Sequence, residues 1–139
     1  MVQTDEELGA WLRLSLTQGV GNETMRRLLA AWGSAQAVFQ QSESALRQVF
    51  QPAQARALMA FPDVWPGLLE VTRQWLQAPD HALVTLGDDH YPTALLNIPD
   101  PPLMLYAIGR TQQLPTLTPS TALAIVGSRN PTPQGAINA

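Results

Sequence analysis

Proline and the large aromatic residues divide the chain into two parts. All four tryptophans and all three phenylalanines lie before residue 80, whereas nine of the twelve prolines lie from residue 79 onward. Because proline lacks the backbone N–H group that a helix interior needs, long helices are expected only in the first part. The sequence therefore predicts a helical part over residues 1–78 and a second part, residues 79–139, built from short strands and turns.

The first part has the pattern of several short amphipathic helices. Thr4 and Glu7 have the spacing of a capping box, which predicts the start of the first helix. The apolar residues that follow recur at helical spacing and leave Arg13 for solvent; they are Leu8, Trp11, Leu12 and Leu16. Similar patterns predict four further helices, which start at Asn22, Ser42, Pro52 and Asp63.

Composition excludes several classes of protein. The formal net charge is −3 and all eight basic residues are arginines, so bulk charge cannot hold this chain to DNA and any such contact must be local. Cysteine is absent, which excludes disulfides and thiolate metal sites, and two histidines make a zinc site improbable. With neither a signal peptide nor an apolar run of about 20 residues, a cytoplasmic protein is expected.

Three apolar runs in the second part are predicted to form strands, over residues 82–86, 103–108 and 122–126. The last run is apolar throughout, as in a strand covered on both faces of a parallel sheet. Gly127 follows it directly, and Thr132 with Pro133 suits the start of a helix. A strand, a turn and a helix start make only the first half of a βαβ unit. We therefore expect this chain to be the N-terminal piece of a longer protein. The predicted fold class is α+β.

The turn after residue 126 is the strongest candidate binding site, with the sequence Gly127-Ser128-Arg129-Asn130-Pro131-Thr132. A turn that enters a helix points free N–H groups at one spot, where the helix dipole favours an anion. Arg129 offers a bidentate contact to a phosphate. The spacing matches neither a dinucleotide-binding nor a Walker-type loop. An ordinary strand-to-helix turn with an exposed arginine is the alternative interpretation.

A second candidate is the glycine hairpin, Gly19 and Gly21, between the first two predicted helices. In helix-hairpin-helix modules the backbone N–H groups of such a hairpin grip a DNA phosphate, and Arg26 and Arg27 lie near enough in sequence to add positive charge. Glycines also commonly join antiparallel helices, and Glu23 lowers the local positive charge. The purely structural interpretation is favoured here.

A third candidate, Asp88-Asp89-His90, combines carboxylates with an imidazole, as some catalytic and metal sites do. Adjacent side chains of an extended segment point apart, however, and aspartates ahead of Tyr91-Pro92 are ordinary turn residues. The turn interpretation is favoured. The sequence predicts no catalytic residue, metal site or cofactor, and an enzyme is not expected.

Two blocks of residues carry a resemblance to a known family. The first is Tyr91-Pro92-x-x-Leu95-x-x-Ile98-x-Asp100-Pro101-Pro102-x-x-Leu105-Tyr106-x-x-Gly109, and the second is Ile125-Val126-Gly127-Ser128-Arg129-x-x-Thr132-x-x-Gly135. In order and spacing both resemble the DprA/Smf family of bacterial DNA-processing proteins. The glycine hairpin, followed by Trp32-Gly33-Ser34, is also similar to the N-terminal region of that family, so the resemblance spans nearly the whole chain.

The resemblance implies a helical domain over residues 1–78, similar to sterile-alpha-motif or helix-hairpin-helix folds, and the start of an extended Rossmann-like domain over residues 79–139. It implies a cytoplasmic, non-catalytic protein that binds incoming single-stranded DNA during natural transformation, protects it and helps load the RecA recombinase. Family members form homodimers through the Rossmann-like domain. The resemblance assigns DNA phosphate binding to Gly127, Ser128, Arg129, Thr132 and Gly135, and it assigns Gly19 and Gly21 to the hairpin.

One position departs from the family, and two other functions remain open. Residue 134 is glutamine where the family frequently has an aromatic residue, so base stacking is not expected there. A Rossmann-like enzyme that cleaves nucleoside monophosphates would need an acidic catalytic residue beyond this sequence. A helical protein-interaction module would need only the first part of the chain.

Overall fold

A computed structural model describes residues 1–127, 130 and 133–138 of the chain. Its α-helices are α1 (Asp5–Leu16), α2 (Asn22–Trp32), α3 (Ala35–Phe39), α4 (Glu43–Val49), α5 (Pro52–Met59), α6 (Trp65–Trp75) and α7 (Pro133–Asn138). Two strands, β1 (His81–Thr85) and β2 (Met104–Ile108), follow α6, with 3-10 helices at Thr93–Asn97 and Thr111–Thr116. The predicted α+β class is confirmed.

Local capping residues set several helix ends, as predicted. Thr4 accepts a hydrogen bond from the Glu7 N–H at 3.1 Å, and the Glu7 carboxylate accepts one from the Gln3 N–H at 3.0 Å. Glu7 thus reaches one residue further back than in the usual capping box. Ser42 caps α4 in the same way as Thr4 caps α1. Helix α2 ends at Gly33, whose φ of 83° lies in the left-handed region that favours glycine.

The two strands form an antiparallel sheet that lies between two layers. His81 pairs with Ile108 at one end and Thr85 with Met104 at the other. Leu83 faces α1 and α6, where it packs among their leucines. Val84, on the opposite face, packs against Tyr91 and apolar residues of both 3-10 helices. The sheet is therefore covered on both faces by this chain.

The larger apolar core lies among helices α1 to α5. Its buried members include one or two residues from each of these helices, among them Leu14, Met25, Val38, Leu46 and Leu58. Leu103, which precedes β2, packs into the same core. The helical part and the strand part therefore share buried contacts, and the proposed division at residue 78 stays a prediction.

The strand predicted at residues 122–126 does not form, so that prediction is wrong for this structure. Leu123, Ile125 and Val126 have exposed fractions of 86%, 88% and 93%. A strand that is apolar on both faces needs hydrogen-bonding neighbours and cover on each face. The strands in the described part of the chain, β1 and β2, pair with each other and give this segment neither. The predicted helix start at Pro133 is confirmed by α7.

Candidate nucleic-acid interface

The turn that follows residue 126 is described only in part. Ser128, Arg129 and Thr132, which carry the hydroxyl and guanidinium groups of the predicted phosphate site, lie outside the described residues. Gly127 is exposed and faces open space on the side where a side chain would project. Gly135 lies within α7. The phosphate site therefore stays a prediction.

The glycine hairpin connects α1 to α2, as predicted. Gly19 has φ of 75°, and Gly21 is the residue that caps α2. Because Gly21 has no side chain, the first turn of α2 receives no side-chain cap. Asn22, the predicted start of this helix, is its first residue, and its side-chain amide donates to Asp100 Oδ2 at 3.3 Å instead of capping the helix.

Arg26, on the second turn of α2, is bound to the segment that precedes β2. Its Nη1 donates to Asp100 Oδ1 at 2.7 Å and to the Pro101 carbonyl oxygen at 3.0 Å. The hydrogen bond from Arg26 is the main cause that lowers the pKa of the Asp100 carboxyl, and the Asn22 amide adds to it. The charge of Arg26 is therefore directed at Asp100, and it does not add to the hairpin the positive charge that the DNA-binding interpretation of the hairpin invoked.

Unpaired positive charge is sparse in the described part of the chain. Arg47 pairs with Glu43, and Arg73 pairs with Glu70 and Asp5. The arginines that are exposed and have no hydrogen-bond or ion-pair partner among residues 1–127, 130 and 133–138 are Arg27, Arg56 and Arg110. Arg27 lies on α2, Arg56 on α5 and Arg110 after β2, so no two of these unpaired arginines share a helix or strand. Arg27 is the one that lies near the glycine hairpin.

The Asp88 segment forms a turn, as predicted. The Tyr91 N–H donates to the Asp88 carbonyl at 2.9 Å, and the His90 N–H donates to Asp88 Oδ1 at 2.8 Å. The Asp88 carboxylate is buried and also pairs with the amino terminus of Met1.

Tyr91 is buried as well, and its hydroxyl donates to the Pro102 carbonyl at 2.8 Å. Burial raises the pKa of that hydroxyl, although the charge of Arg26 acts in the opposite direction.

Two further kinds of feature are absent from the residues that the structure describes. These residues contain no group of three or more histidine, aspartate or glutamate side chains placed to hold a metal ion. None of their helices is long and apolar enough to cross a membrane.

Arg13 occupies a position that the sequence analysis predicted wrongly. Instead of pointing into solvent, its guanidinium is half-buried between two aromatic rings, 4.2 Å from the centre of Phe39 and 3.8 Å from that of Phe61. Its Nη2 donates to the carbonyl oxygens of Leu58 at 3.0 Å and Met59 at 3.1 Å. Burial lowers the pKa of this guanidinium. Arg13 thus joins α1 to the C-terminus of α5.

One feature of the sequence, a pair of small residues, could have predicted that another element packs closely against α1 near Arg13. Gly9 and Ala10 lie one turn before Arg13 on the same side of α1, and small residues there let another element approach closely. Trp65 takes that place: its indole N–H donates to the Gly9 carbonyl at 2.8 Å. A Cβ atom on Gly9 would lie 3.0 Å from the Trp65 ring. The hydrogen-bond partners of Arg13 itself, 45 to 47 residues away, had no such local signal.

Two family models match the chain. The model for DNA recombination-mediator protein A matches residues 82–139, and the model for the DprA-like N-terminal HHH domain matches residues 5–56. Protein Smf of Escherichia coli (strain K12) is 33% identical over 125 residues, which are 86% of this chain and 29% of that protein. The chain therefore spans less than a third of the length of this relative. No solved structure matches it significantly. Since both models describe parts of one family and the relative is aligned over most of the chain, this chain belongs to the DprA/Smf family, that of DNA recombination-mediator protein A.

Proposed function

We propose that this protein binds incoming single-stranded DNA during natural transformation, protects the strand and helps load the RecA recombinase onto it, without catalysing a reaction. The observation that supports the proposal is that residues 82–139 match the model for DNA recombination-mediator protein A and residues 5–56 match the DprA-like N-terminal HHH domain. We also propose a cytoplasmic location and a homodimer for the complete gene product.

The proposed mechanism is local capture of a DNA phosphate. The backbone at Gly127 and the start of the following helix would donate N–H groups, Ser128 and Thr132 would add hydroxyls, and Arg129 would neutralise the phosphate. A net charge of −3 supports a local contact of this kind, because the chain as a whole repels a polyanion. Contacts to the backbone of the strand give little sequence preference.

The glycine hairpin has a secondary place in this proposal. Arg26 is committed to Asp100, and Arg27 shares its helix with Glu23 in the first turn. The hairpin therefore offers a single unpaired arginine close to a carboxylate, which is a weak electrostatic site for DNA. We assign the main contact to the turn around Arg129 for this reason.

The test is binding of fluorescently labelled oligo-dT by the complete gene product over a range of salt concentrations. We expect log K to fall linearly with log salt, because phosphate contacts release counterions. Arg129→Ala should weaken binding evenly for dT, dA and mixed sequences and should reduce the salt slope by roughly 0.7, as expected for one phosphate contact on a single strand. The 139-residue chain alone should bind weakly or undetectably.

Arg56→Ala is the matched control, since Arg56 is exposed and has no partner among the described residues. Binding that is equally affected by both substitutions would contradict the assignment to the turn around Arg129. Turnover of nucleoside monophosphates by the purified protein would instead favour a Rossmann-like enzyme. An affinity of the 139-residue chain equal to that of the complete gene product would contradict the expected weak binding by the chain alone.

A further inference from the structure

The two outer edges of the sheet differ in how far this chain covers them. On the outer edge of β1, the Leu83 carbonyl oxygen accepts a hydrogen bond from the Val2 N–H at 3.2 Å. On the same edge, the His81 N–H donates to the Ala78 carbonyl at 3.1 Å. Strand β2 forms the opposite edge of this two-stranded sheet, which is called the β2 edge below.

The hydrogen bonds between β1 and β2 determine which backbone groups lie on the β2 edge. The Leu86 N–H donates to the Leu103 carbonyl at 2.8 Å, and the Gly109 N–H donates to the Asp80 carbonyl at 2.7 Å. Because hydrogen-bonded and non-hydrogen-bonded pairs alternate along an antiparallel ladder, every second residue of β2 directs its N–H and C=O groups away from β1. These outward residues are Met104, Tyr106 and Ile108. Their outward groups have no hydrogen-bond partner in the described part of the chain.

The side chains at the β2 edge are apolar and only partly covered. Tyr106 is 49% exposed and Ile108 is 66% exposed, whereas residues 82–85 of β1 are buried. Val71 precedes Thr72, whose hydroxyl lies 3.2 Å from that of Tyr106, and is itself 64% exposed. Soluble proteins usually protect an apolar edge strand with a charged residue, a proline or a bulge, because an unprotected one pairs with other strands. Strand β2 has none of these three.

The charges at the two ends of β2 are balanced. Arg110 follows the strand and is exposed, and Asp80 pairs with Gly109 across the ladder, one residue from Arg110. Before the strand, Asp100 forms an ion pair with Arg26. Like charges that face each other across an interface disfavour association, and a surface without net charge avoids that repulsion between identical copies. It also gives a polyanion such as DNA little electrostatic attraction.

We propose that β2 pairs antiparallel with β2 of a second copy of this chain, so that the two sheets become one continuous sheet. The β2 edge is its own complement. When Tyr106 lies opposite Tyr106 of the second copy, Met104 lies opposite Ile108, and each outward N–H group meets an outward carbonyl group. The pairing also brings the exposed apolar side chains of both copies together on one face of the sheet. This interface is independent of the proposed DNA binding and of the homodimer proposed for the complete gene product.

Sedimentation equilibrium of the 139-residue chain measures the association directly. We expect the average mass to rise from that of one chain toward that of two, with a Kd near roughly 0.1 mM. The association should be weak, because two short strands bury a small area.

Hydrogen exchange followed by NMR tests which backbone groups form the interface. The amide protons of Met104, Tyr106 and Ile108 should exchange more slowly as the protein concentration rises, because pairing with a second copy protects them. The amide protons of Leu105 and Ala107 bond β1 within the same chain and should exchange slowly at every concentration. They serve as the internal control.

Two matched substitutions locate the interface. Ile108→Lys places a charge on the β2 edge and should weaken the association at least about tenfold, since edge lysines prevent strand pairing. The fold should be kept, because Ile108 is 66% exposed, and circular dichroism checks this. Ile125→Lys makes the same change at a residue that is 88% exposed and lies outside β2. It should leave the Kd unchanged.

Three results would overturn the proposal. The first is a chain that stays monomeric up to roughly 1 mM, well above the expected Kd. The second is an association that survives Ile108→Lys or is lost in Ile125→Lys, because either result places the interface elsewhere. The third is exchange of the Met104, Tyr106 and Ile108 amide protons that does not depend on concentration, because a second copy would then not cover the β2 edge.

Discussion

The Arg13 guanidinium lies over the Phe61 ring, with 3.8 Å between the guanidinium carbon and the ring centre. This contact ties α1 to the connection between α5 and α6, and that connection lies more than 40 residues further along the chain. The same guanidinium donates to the Leu58 carbonyl at 3.0 Å, near the C-terminus of α5, where helix carbonyls lack intrahelical partners. Its Nε is buried and has no hydrogen-bond partner in the described part of the chain, so part of the gain is offset.

We expect Arg13→Met to lower the free energy of unfolding by about 2 kcal/mol, since it removes charge-assisted hydrogen bonds and a cation–π contact while keeping an apolar stem. Arg13→Lys should recover less than half of this loss, because an ammonium cannot lie flat between two rings and bond carbonyls at the same time. Urea unfolding of the 139-residue chain measures both values. Arg56→Met, at an exposed arginine without a partner among the described residues, should change stability by less than about 0.5 kcal/mol. Equal losses for Arg13→Met and Arg56→Met would show that the contacts of Arg13 do not stabilise the fold.

The pair formed by Arg26 and Asp100 should make stability depend on pH in the acidic range. Because the pKa of Asp100 is lowered in the folded chain, the pair stabilises the fold above the unfolded value of about 3.9. That contribution is lost as pH falls through the lower folded value. The difference in unfolding free energy between the natural chain and Asp100→Asn should therefore be largest near neutral pH and shrink toward roughly pH 2.

Asp63→Asn is the control for this pH dependence, because the exposed Asp63 has no hydrogen-bond or ion-pair partner in the described part of the chain. Urea unfolding at several pH values measures both variants. In an Arg26→Ala background the effect of Asp100→Asn should become small, since the main partner is gone. A difference for Asp100→Asn that grows as the pH falls would contradict the pairing.

The parts of the fold that the sequence predicted are those decided within a few residues. Thr4 caps α1 through a residue three positions away, and Gly33 ends α2 through its own backbone conformation. The first two predicted strands lie within one residue of β1 and β2. The position of Arg13 was predicted wrongly because its hydrogen-bond partners lie 45 to 47 residues away. The strand prediction for residues 122–126 failed because a strand also requires neighbouring strands to pair with, which no local pattern specifies.

The candidate site divides in the same way. The hairpin position of Gly19 and Gly21 followed from local glycine spacing and is confirmed. The role of Arg26 could not be predicted, because the partner that binds its charge, Asp100, is 74 residues away. Nearness in sequence to the hairpin suggested only that this arginine could add positive charge there, whereas the folded chain uses it to join α2 to the segment before β2.

Gly19 offers a test of the hairpin geometry. Its φ of 75° is a conformation in which an L-residue is strained by its Cβ atom, so Gly19→Ala should cost about 1 kcal/mol. Gly19→Asn should cost less, since asparagine tolerates the left-handed region better than alanine. Gly67→Ala is the control: this glycine lies in α6 without a positive φ, and a Cβ there meets open space. It should stabilise the chain by about 0.5 kcal/mol. Equal effects of alanine at both positions in thermal or urea unfolding would contradict the left-handed conformation of Gly19.

Leu12 and Leu123 form a matched pair of leucines. Truncating each one compares the packing of the core between α1 and the sheet with that of residues 122–126. Leu12 is fully buried between α1 and the sheet, in one cluster with Leu8 and Leu83, so Leu12→Ala should lower the unfolding free energy by about 2–5 kcal/mol. Leu123 is 86% exposed, and the same truncation there should change it by less than about 0.5 kcal/mol. Urea unfolding of the 139-residue chain measures both. A loss above about 1 kcal/mol for Leu123→Ala would mean that residues 122–126 pack against the chain in solution, because only a buried leucine loses that much on truncation.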